Sequence, residues 1–181
     1  CEATLTSSAS EKGRLERDLA DSRRQLEEMQ KQIATKQATP AQATGFEGVG
    51  EVAVDADAGT ITVTISDAIL FASGSATLKN TYISELDKAY SVLRSKYAGR
   101  KIDIVGHTDT DPISKTKNKW QDNWELSAER ALTVVRYLVK KGIPDEDIRA
   151  AGCGASRPVA ANSTAAGKSK NRRVEIVVYM R

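Results

Sequence analysis

Apolar residues recur along this chain in more than one period. Between Leu5 and Ile33 they follow a seven-residue repeat: Leu5, Lys12, Leu19, Leu26 and Ile33 share one register, and Ser8, Leu15, Ser22 and Met29 the other. Glu16, Arg17, Asp21, Arg24, Glu28 and Lys31 fill positions between them, the pattern of a helix with a narrow apolar seam. At about 1.5 Å per residue such a helix reaches on the order of 45 Å, the length of a spacer. Lys12, Ser8 and Ser22 weaken the seam, so a single frayed helix and a homo-oligomeric coiled coil over residues 5–33 both stay open.

Residues 35–49 show no period and are rich in Ala, Thr, Gln and Gly, which predicts a flexible linker between a segment 1–34 and a domain 50–181. The domain opens with period two. Val52 and Val54, then Ile61, Val63 and Ile65, alternate with polar residues around Asp57-Ala58-Gly59 and predict a hairpin. After the short apolar run Ile69-Leu70-Phe71, helical spacing sets in at Ile83, Leu86, Tyr90, Leu93 and Tyr97 and stops at Gly99. Lys101 to Val105 reads as a strand. A second helix runs from about Asn118 or Asp122 to Lys141, with Leu126, Ala131, Val134, Val135, Leu138 and Val139 on its apolar side and Gly142 past its end. Asp147 to Ala151 and Val174 to Tyr179 are further strands, separated by a loop holding Gly152, Gly154 and Pro158. The order is ββαβαββ, which makes a sheet with helices packed on it.

Composition narrows the function classes. The 181 residues leave room for one ordinary domain plus an extension. A net charge of +3, from 27 basic and 24 acidic side chains, is too mild for a nucleic-acid footprint, and Lys168 to Arg173 reads as a solvated loop before the last strand. No run of about 18 apolar residues is present to span a bilayer as a helix. Cys153, between two glycines, reads as a small buried thiol. Cys1 is the first residue of a chain that does not begin with Met. Bacterial lipoproteins start this way after signal-peptide cleavage, so Cys1 is expected to carry lipid; a trimmed chain end and a Cys1–Cys153 disulfide are the alternatives.

Catalytic signatures are missing. His107 is the only His, no Gly-x-Ser-x-Gly elbow occurs, and neither Cys lies in a nucleophile signature, so His107 is expected to be structural and no enzyme activity is expected. One His and two distant Cys offer no metal-ligand spacing, and Gly152-Cys153-Gly154 lacks the rest of a dinucleotide loop, so neither metal nor cofactor is expected. What remains is an acid and a base: Asp109, just beyond the strand-like run Ile102 to Val105, and Arg130, near the start of the second helix. They can line one pocket from different elements and so suit a zwitterion; a partly buried ion pair joining strand to helix is the other reading.

Five blocks in order sharpen this: Phe71-Ala72-Ser73-Gly74-Ser75-Ala76-Thr77-Leu78, Gly106-His107-Thr108-Asp109, Asn123-x-x-Leu126-Ser127-x-x-Arg130-Ala131, Gly152-x-Gly154-x-x-x-Pro158 and Asn171-Arg172-Arg173-Val174-Glu175-Ile176. Residues 50–181 thereby resemble the OmpA C-terminal-like peptidoglycan-binding domain, the family of the peptidoglycan-associated lipoprotein and of the periplasmic domain of the stator protein MotB. The resemblance implies an α+β fold (an α/β sandwich) with a βαβαβ-type mixed sheet and helices on one face. It also implies binding of the diaminopimelate side chain in the peptidoglycan stem peptide, with Asp109 on its ammonium, Arg130 on its carboxylate and Thr108, Asn123 and Arg172 nearby. Arg172 and Arg173 are adjacent and face opposite sides of an extended segment, so only one reaches the pocket.

Two departures stand out. Ala72 occupies a position where many members carry Asp, and the loop from Asp111 to Trp120 is long, similar to the stator-like branch. The whole reads as a lipoprotein tethering a membrane to the wall, on the periplasmic side of the outer membrane. A stator-like or secretion-linked subunit of a larger envelope machine is the alternative, and a wall enzyme the least favoured.

Overall fold

A computed structural model describes residues 19–25, 27, 40–80, 83–114 and 116–180. The chain divides into two units, residues 1–39 and 40–181. In the first, residues 19–25 and 27 are helical. Cys1 and most of the expected seam over residues 5–33 lie outside the described residues.

The second unit is built from α1 (Pro40–Thr44), β1 (Glu51–Asp55), β2 (Thr60–Ser66), α2 (Asp67–Leu70), α3 (Ile83–Lys96), β3 (Ile102–His107), α4 (Asn123–Lys141), β4 (Ile148–Gly152), α5 (Ala165–Asn171) and β5 (Arg173–Tyr179). The strands form one mixed sheet in the order β1-β2-β5-β3-β4, with β3 and β4 parallel and every other neighbouring pair antiparallel. The mixed α+β fold is the expected one.

Alternation explains the layers. In β2, Ile61, Val63 and Ile65 are buried while Thr60, Thr62 and Thr64 are half-buried. In β5, Val174, Ile176 and Val178 do the same. Their inward face packs with Leu86, Ala89 and Leu93 of α3 and with Ala131, Val134 and Leu138 of α4 in a single core. Inner strand β3 is buried along its whole length, Asp103 and His107 included. Helix α4 starts where Asp122 caps it, accepting from Glu125 N at 2.9 Å, and ends at Gly142, whose φ of 115° closes the last turn.

Glycines let α4 lie directly on the sheet. A Cβ on Gly106 would sit 2.1 Å from the Ser127 carbonyl oxygen, and one on Gly152 would sit 2.6 Å from Ala128 N. No side chain fits between these strands and the second turn of the helix.

Three segments depart from the sequence expectations. The linker expected over residues 35–49 is part of the folded unit from Pro40 onward. Phe46 is fully buried and stacks on Tyr97 with ring centroids 5.6 Å apart, Val49 is buried, and Tyr97 Oη donates to the Thr44 carbonyl at 2.9 Å. Two isolated apolar residues in a stretch of small polar ones produce no period, which is why the boundary was invisible. The basic stretch expected to be a solvated loop holds α5, whose cap Thr164 accepts from Gly167 N at 3.0 Å. The apolar run after β2 begins as the single turn α2 before Phe71 bridges to Leu78.

Two substitutions test this packing. Phe46→Ala is expected to cost about 3–5 kcal/mol, read from urea unfolding; an unchanged midpoint would return residues 40–49 to the linker. Gly106→Ala is expected to cost at least about 1–3 kcal/mol, because the neighbour it meets is helix backbone rather than a flexible side chain.

Candidate functional site

Strands β2, β3 and β4 run one way and β5, between β2 and β3, runs the other. The ends of β2 and β3 and the beginning of β5 therefore meet at one end of the sheet. Just outside those ends stand Asp67, Thr108 with Asp109, and Arg172, and the first turns of α4 add Asn123 and Arg130. All six line one cavity of about 420 Å³, walled further by Phe71, Ser73, Gly74, Lys79 and the loop from Asp111 to Thr116. The five residues singled out from sequence are thus brought together.

Their partners differ from the simplest expectation. Asp109 and Arg130 do not pair with one another. Asp109 Oδ2 pairs with Arg172 Nη1 at 2.5 Å and its Oδ1 accepts from Asp111 N at 3.0 Å. Arg130 pairs with Asp67, Nη1 to Oδ2 at 3.0 Å, and its Nε donates to the Ser75 carbonyl at 2.9 Å. The guanidinium also lies over the Phe71 ring, 5.3 Å from its centroid. Asp67, Asp109 and Arg130 are only 5, 6 and 3% exposed, so these charges sit where water screens them little. Burial pushes the Asp67 carboxyl above its ordinary range against the pull of Arg130, Arg172 and Lys79. Burial likewise lowers the Arg130 guanidinium, with Asp67 opposing.

Three atoms of the cavity residues are left over. Asp67 Oδ1, Thr108 Oγ1 and Thr116 Oγ1 are buried and have no hydrogen-bond partner among the described residues. Native proteins rarely leave such groups unmatched, so each marks a place for a hydrogen-bonding group, a donor at the carboxylate oxygen and a donor or an acceptor at the hydroxyls. Asn123, by contrast, is occupied: its Nδ2 donates to the Asp109 and Asp111 carbonyls at 3.2 and 2.9 Å. It pins the loop that presents Asp109.

The surrounding contacts hold these groups in place. Ser127 Oγ accepts from Gly154 N at 2.9 Å, and the Gly154 carbonyl accepts from Thr108 N at 2.9 Å, tying α4, the loop after β4 and the end of β3 together. Asn171, fully buried, receives Val159 N and Ala160 N on its Oδ1 and donates to the Ala160 carbonyl, which sets the position of the adjacent Arg172. Trp120 Nε1 donates to the Gly74 carbonyl at 2.9 Å, fastening the Asp111–Trp120 loop across the cavity. Ala72 is exposed and outside the lining. The buried carboxylate that sequence reasoning missed is Asp67; its only signal was an acid two residues before the apolar run Ile69-Leu70-Phe71.

The OmpA family model matches residues 70–172. Motility protein B of Bacillus subtilis (strain 168) is 41% identical over 120 residues, 66% of this chain and 45% of that protein. The probable lipoprotein YiaD of Escherichia coli (strain K12) is 34% identical over 127 residues, 70% of this chain and 55% of that protein. The chain spans about half the length of these curated relatives. The cell wall anchor of the T6SS from Pseudomonas aeruginosa superposes with a TM-score of 0.63 at 33% identity, covering 72% of this chain and 88% of that one.

The residues flanking the cavity carry structural charges. His107 is buried with Nε2 3.5 Å from Glu175 Oε2, and neither residue lines the cavity. Arg173 faces away from Arg172, as alternation requires, and its Nε donates to Glu175 Oε1 at 2.7 Å. Burial alone would raise the Glu175 carboxyl; His107 and Arg173 together outweigh it and hold the group at about 2, against an ordinary 4.5. A depressed carboxyl stabilises the fold fully above pH 4.5 and loses that contribution as the pH falls towards 2. Glu175→Gln is accordingly expected to flatten the acid side of the stability profile over that window, measured as urea midpoint against pH. Profiles that stay parallel to wild type would show that Glu175 gains nothing from this cluster.

Proposed function

The chain belongs to the OmpA family, and from that premise we propose that residues 40–181 bind peptidoglycan non-covalently through the zwitterionic end of the diaminopimelate in its stem peptide. The observation that carries this is the cavity in which two buried acids and two guanidiniums are crossed in two ion pairs, beside three buried oxygens without a partner among the described residues. Asp109 takes the ammonium and Arg130 the carboxylate in charge-assisted hydrogen bonds. Thr108 Oγ1 accepts from the ammonium, Asn123 holds the Asp109 loop, and Arg172, half-exposed, releases Asp109 and turns to the incoming carboxylate.

The domain tethers and does not catalyse. His107 and Cys153 lie outside the cavity lining, and its buried charged residues Asp67, Asp109 and Arg130, with Arg172, are engaged in ion pairs. In the envelope the tether would run from a membrane, through the N-terminal unit, to the wall. A probable lipoprotein among the relatives supports a lipid on Cys1, which would anchor the chain in the outer membrane, and the helical residues 19–25 support a helical spacer, which we read as self-associating over 5–33. A motility protein and a secretion-system wall anchor among the relatives favour a second setting, the wall-holding subunit of a larger envelope machine.

The test is co-sedimentation with intact sacculi. Wild type is expected to be retained without releasing wall fragments. Asp109→Ala and Arg130→Ala are each expected to lose at least about tenfold in affinity, as deleting hydrogen bonds to a charged ligand group of about 1.5–3 kcal/mol requires. Folded variants retained as well as wild type would remove the site, and released fragments would replace binding with cleavage.

A further inference from the structure

The two buried carboxylates of the cavity, Asp67 and Asp109, are not equivalent. Asp109 has both oxygens engaged, one by Arg172 and one by the Asp111 amide. Asp67 has only Oδ2 engaged, by Arg130, and its Oδ1 is buried with no partner among the described residues. The nearby cation Lys79 does not supply one: its Nζ donates to the Ala68 carbonyl at 2.7 Å. Thr108 Oγ1 and Thr116 Oγ1, on the same cavity, are in the same condition as Asp67 Oδ1, and of the two only Thr108 stands beside Asp109 in the chain. A buried carboxylate oxygen without a donor is costly, and the cost is recovered only when a donor enters the cavity that these residues line.

An ammonium carries three protons and, bound away from water, needs three acceptors. Asp109 alone offers at most part of that set, since each of its oxygens already accepts one hydrogen bond. We propose, resting on the peptidoglycan reading above, that Asp67 is itself a ligand residue: its Oδ1 joins Thr108 Oγ1 and Asp109 as the third acceptor of the ligand's ammonium. Through Oδ2 the same carboxylate holds Arg130 for the ligand's carboxylate, so one side chain serves both ends of the zwitterion. The site therefore selects for a free ammonium. A ligand with the carboxylate alone would leave Asp67 Oδ1 as unmatched as before, and an N-acylated one would place an amide with a single proton where three acceptors converge.

Titration calorimetry of the intact chain tests this with two synthetic stem tripeptides, one ending in diaminopimelate and one in its desamino counterpart, which keeps the terminal carboxylate. Wild type is expected to prefer the amine-bearing peptide, and Asp67→Asn, which keeps the side-chain shape, to lower that preference at least tenfold. Equal losses for both peptides would reduce Asp67 to a support for Arg130 and overturn the proposal, as would an unchanged preference. Wild type that binds neither peptide would instead remove the peptidoglycan reading itself. If Asp67→Asn does not fold, as judged by circular dichroism, the crystal structure of the wild-type complex decides. An ammonium within hydrogen-bond reach of Asp67 Oδ1 upholds the proposal, and one held by Asp109 without Asp67 overturns it.

Discussion

The contact on which the site depends is the backbone-to-backbone approach of α4 to β3 and β4 at Gly106 and Gly152. With nothing larger than hydrogen between them, the second turn of the helix is fixed against the strand ends to within a fraction of an ångström. Ser127, whose carbonyl meets Gly106, also receives Gly154 N through its hydroxyl, and Gly154 in turn receives Thr108 N. Arg130 follows one turn later on the same helix and enters the cavity already aimed. A helix standing off these strands by even a methyl group would move Arg130 away from Asp67 and the Ser75 carbonyl, and the charges it balances would lose their partner. Removing one member of a buried ion pair typically costs about 3–5 kcal/mol, so the glycines protect the electrostatics as well as the packing.

That electrostatic arrangement explains how so polar a cavity coexists with a single apolar core. Two acids and two guanidiniums are placed in alternation, and each acid meets a base from a different element: α2 with α4, and the end of β3 with the segment between α5 and β5. The pairs therefore also tie together elements far apart in sequence. Phe71 supplies a ring face beneath Arg130 where another acceptor would be too many. The cavity stays neutral in its paired charges, and any incoming group must displace or complete a pair.

How much of this was legible in the sequence follows from what creates a period. Strands and long helices repeat their burial every two or three to four residues, so β1 to β5, α3 and α4 could be read, with the stop at Gly142 and a start at Asn118 or Asp122 that the structure resolves to the Asp122 cap. Elements of one or two turns have no room for a period. Helices α1, α2 and α5 escaped for that reason, and α5 further because its cap, Thr164, and its buried pin, Asn171, look like loop residues in isolation. Among the cavity residues, Asp109, Arg130, Thr108, Asn123 and Arg172 were found because they sit in ordered blocks at strand and helix boundaries. Asp67 sits outside those blocks, and its burial is decided by the topology that carries the end of β2 to the start of α4. The exchange of partners, Asp109 with Arg172 and Arg130 with Asp67, is a property of three-dimensional proximity that no spacing along the chain encodes.

Pre-formed pairs also bear on how tightly such a site holds its ligand. A zwitterion that separates Asp109 from Arg172 would supply a new cation to the first and a new anion to the second, so one ion pair is replaced by two and neither partner is left alone. A ligand bearing only a carboxylate would draw Arg172 away and strand the buried Asp109, which is a penalty rather than a missed gain. On the proposed reading, selectivity for zwitterions follows from the protein's own pairing before any shape complementarity is considered. The same exchange limits affinity, because breaking the Asp109–Arg172 pair offsets part of what the ligand gains; the oxygens that were unmatched, Asp67 Oδ1, Thr108 Oγ1 and Thr116 Oγ1, are where a partner costs nothing in return. A moderate, reversible grip suits a polymer that repeats its stem peptide many times, since a released domain finds the next copy at high local concentration.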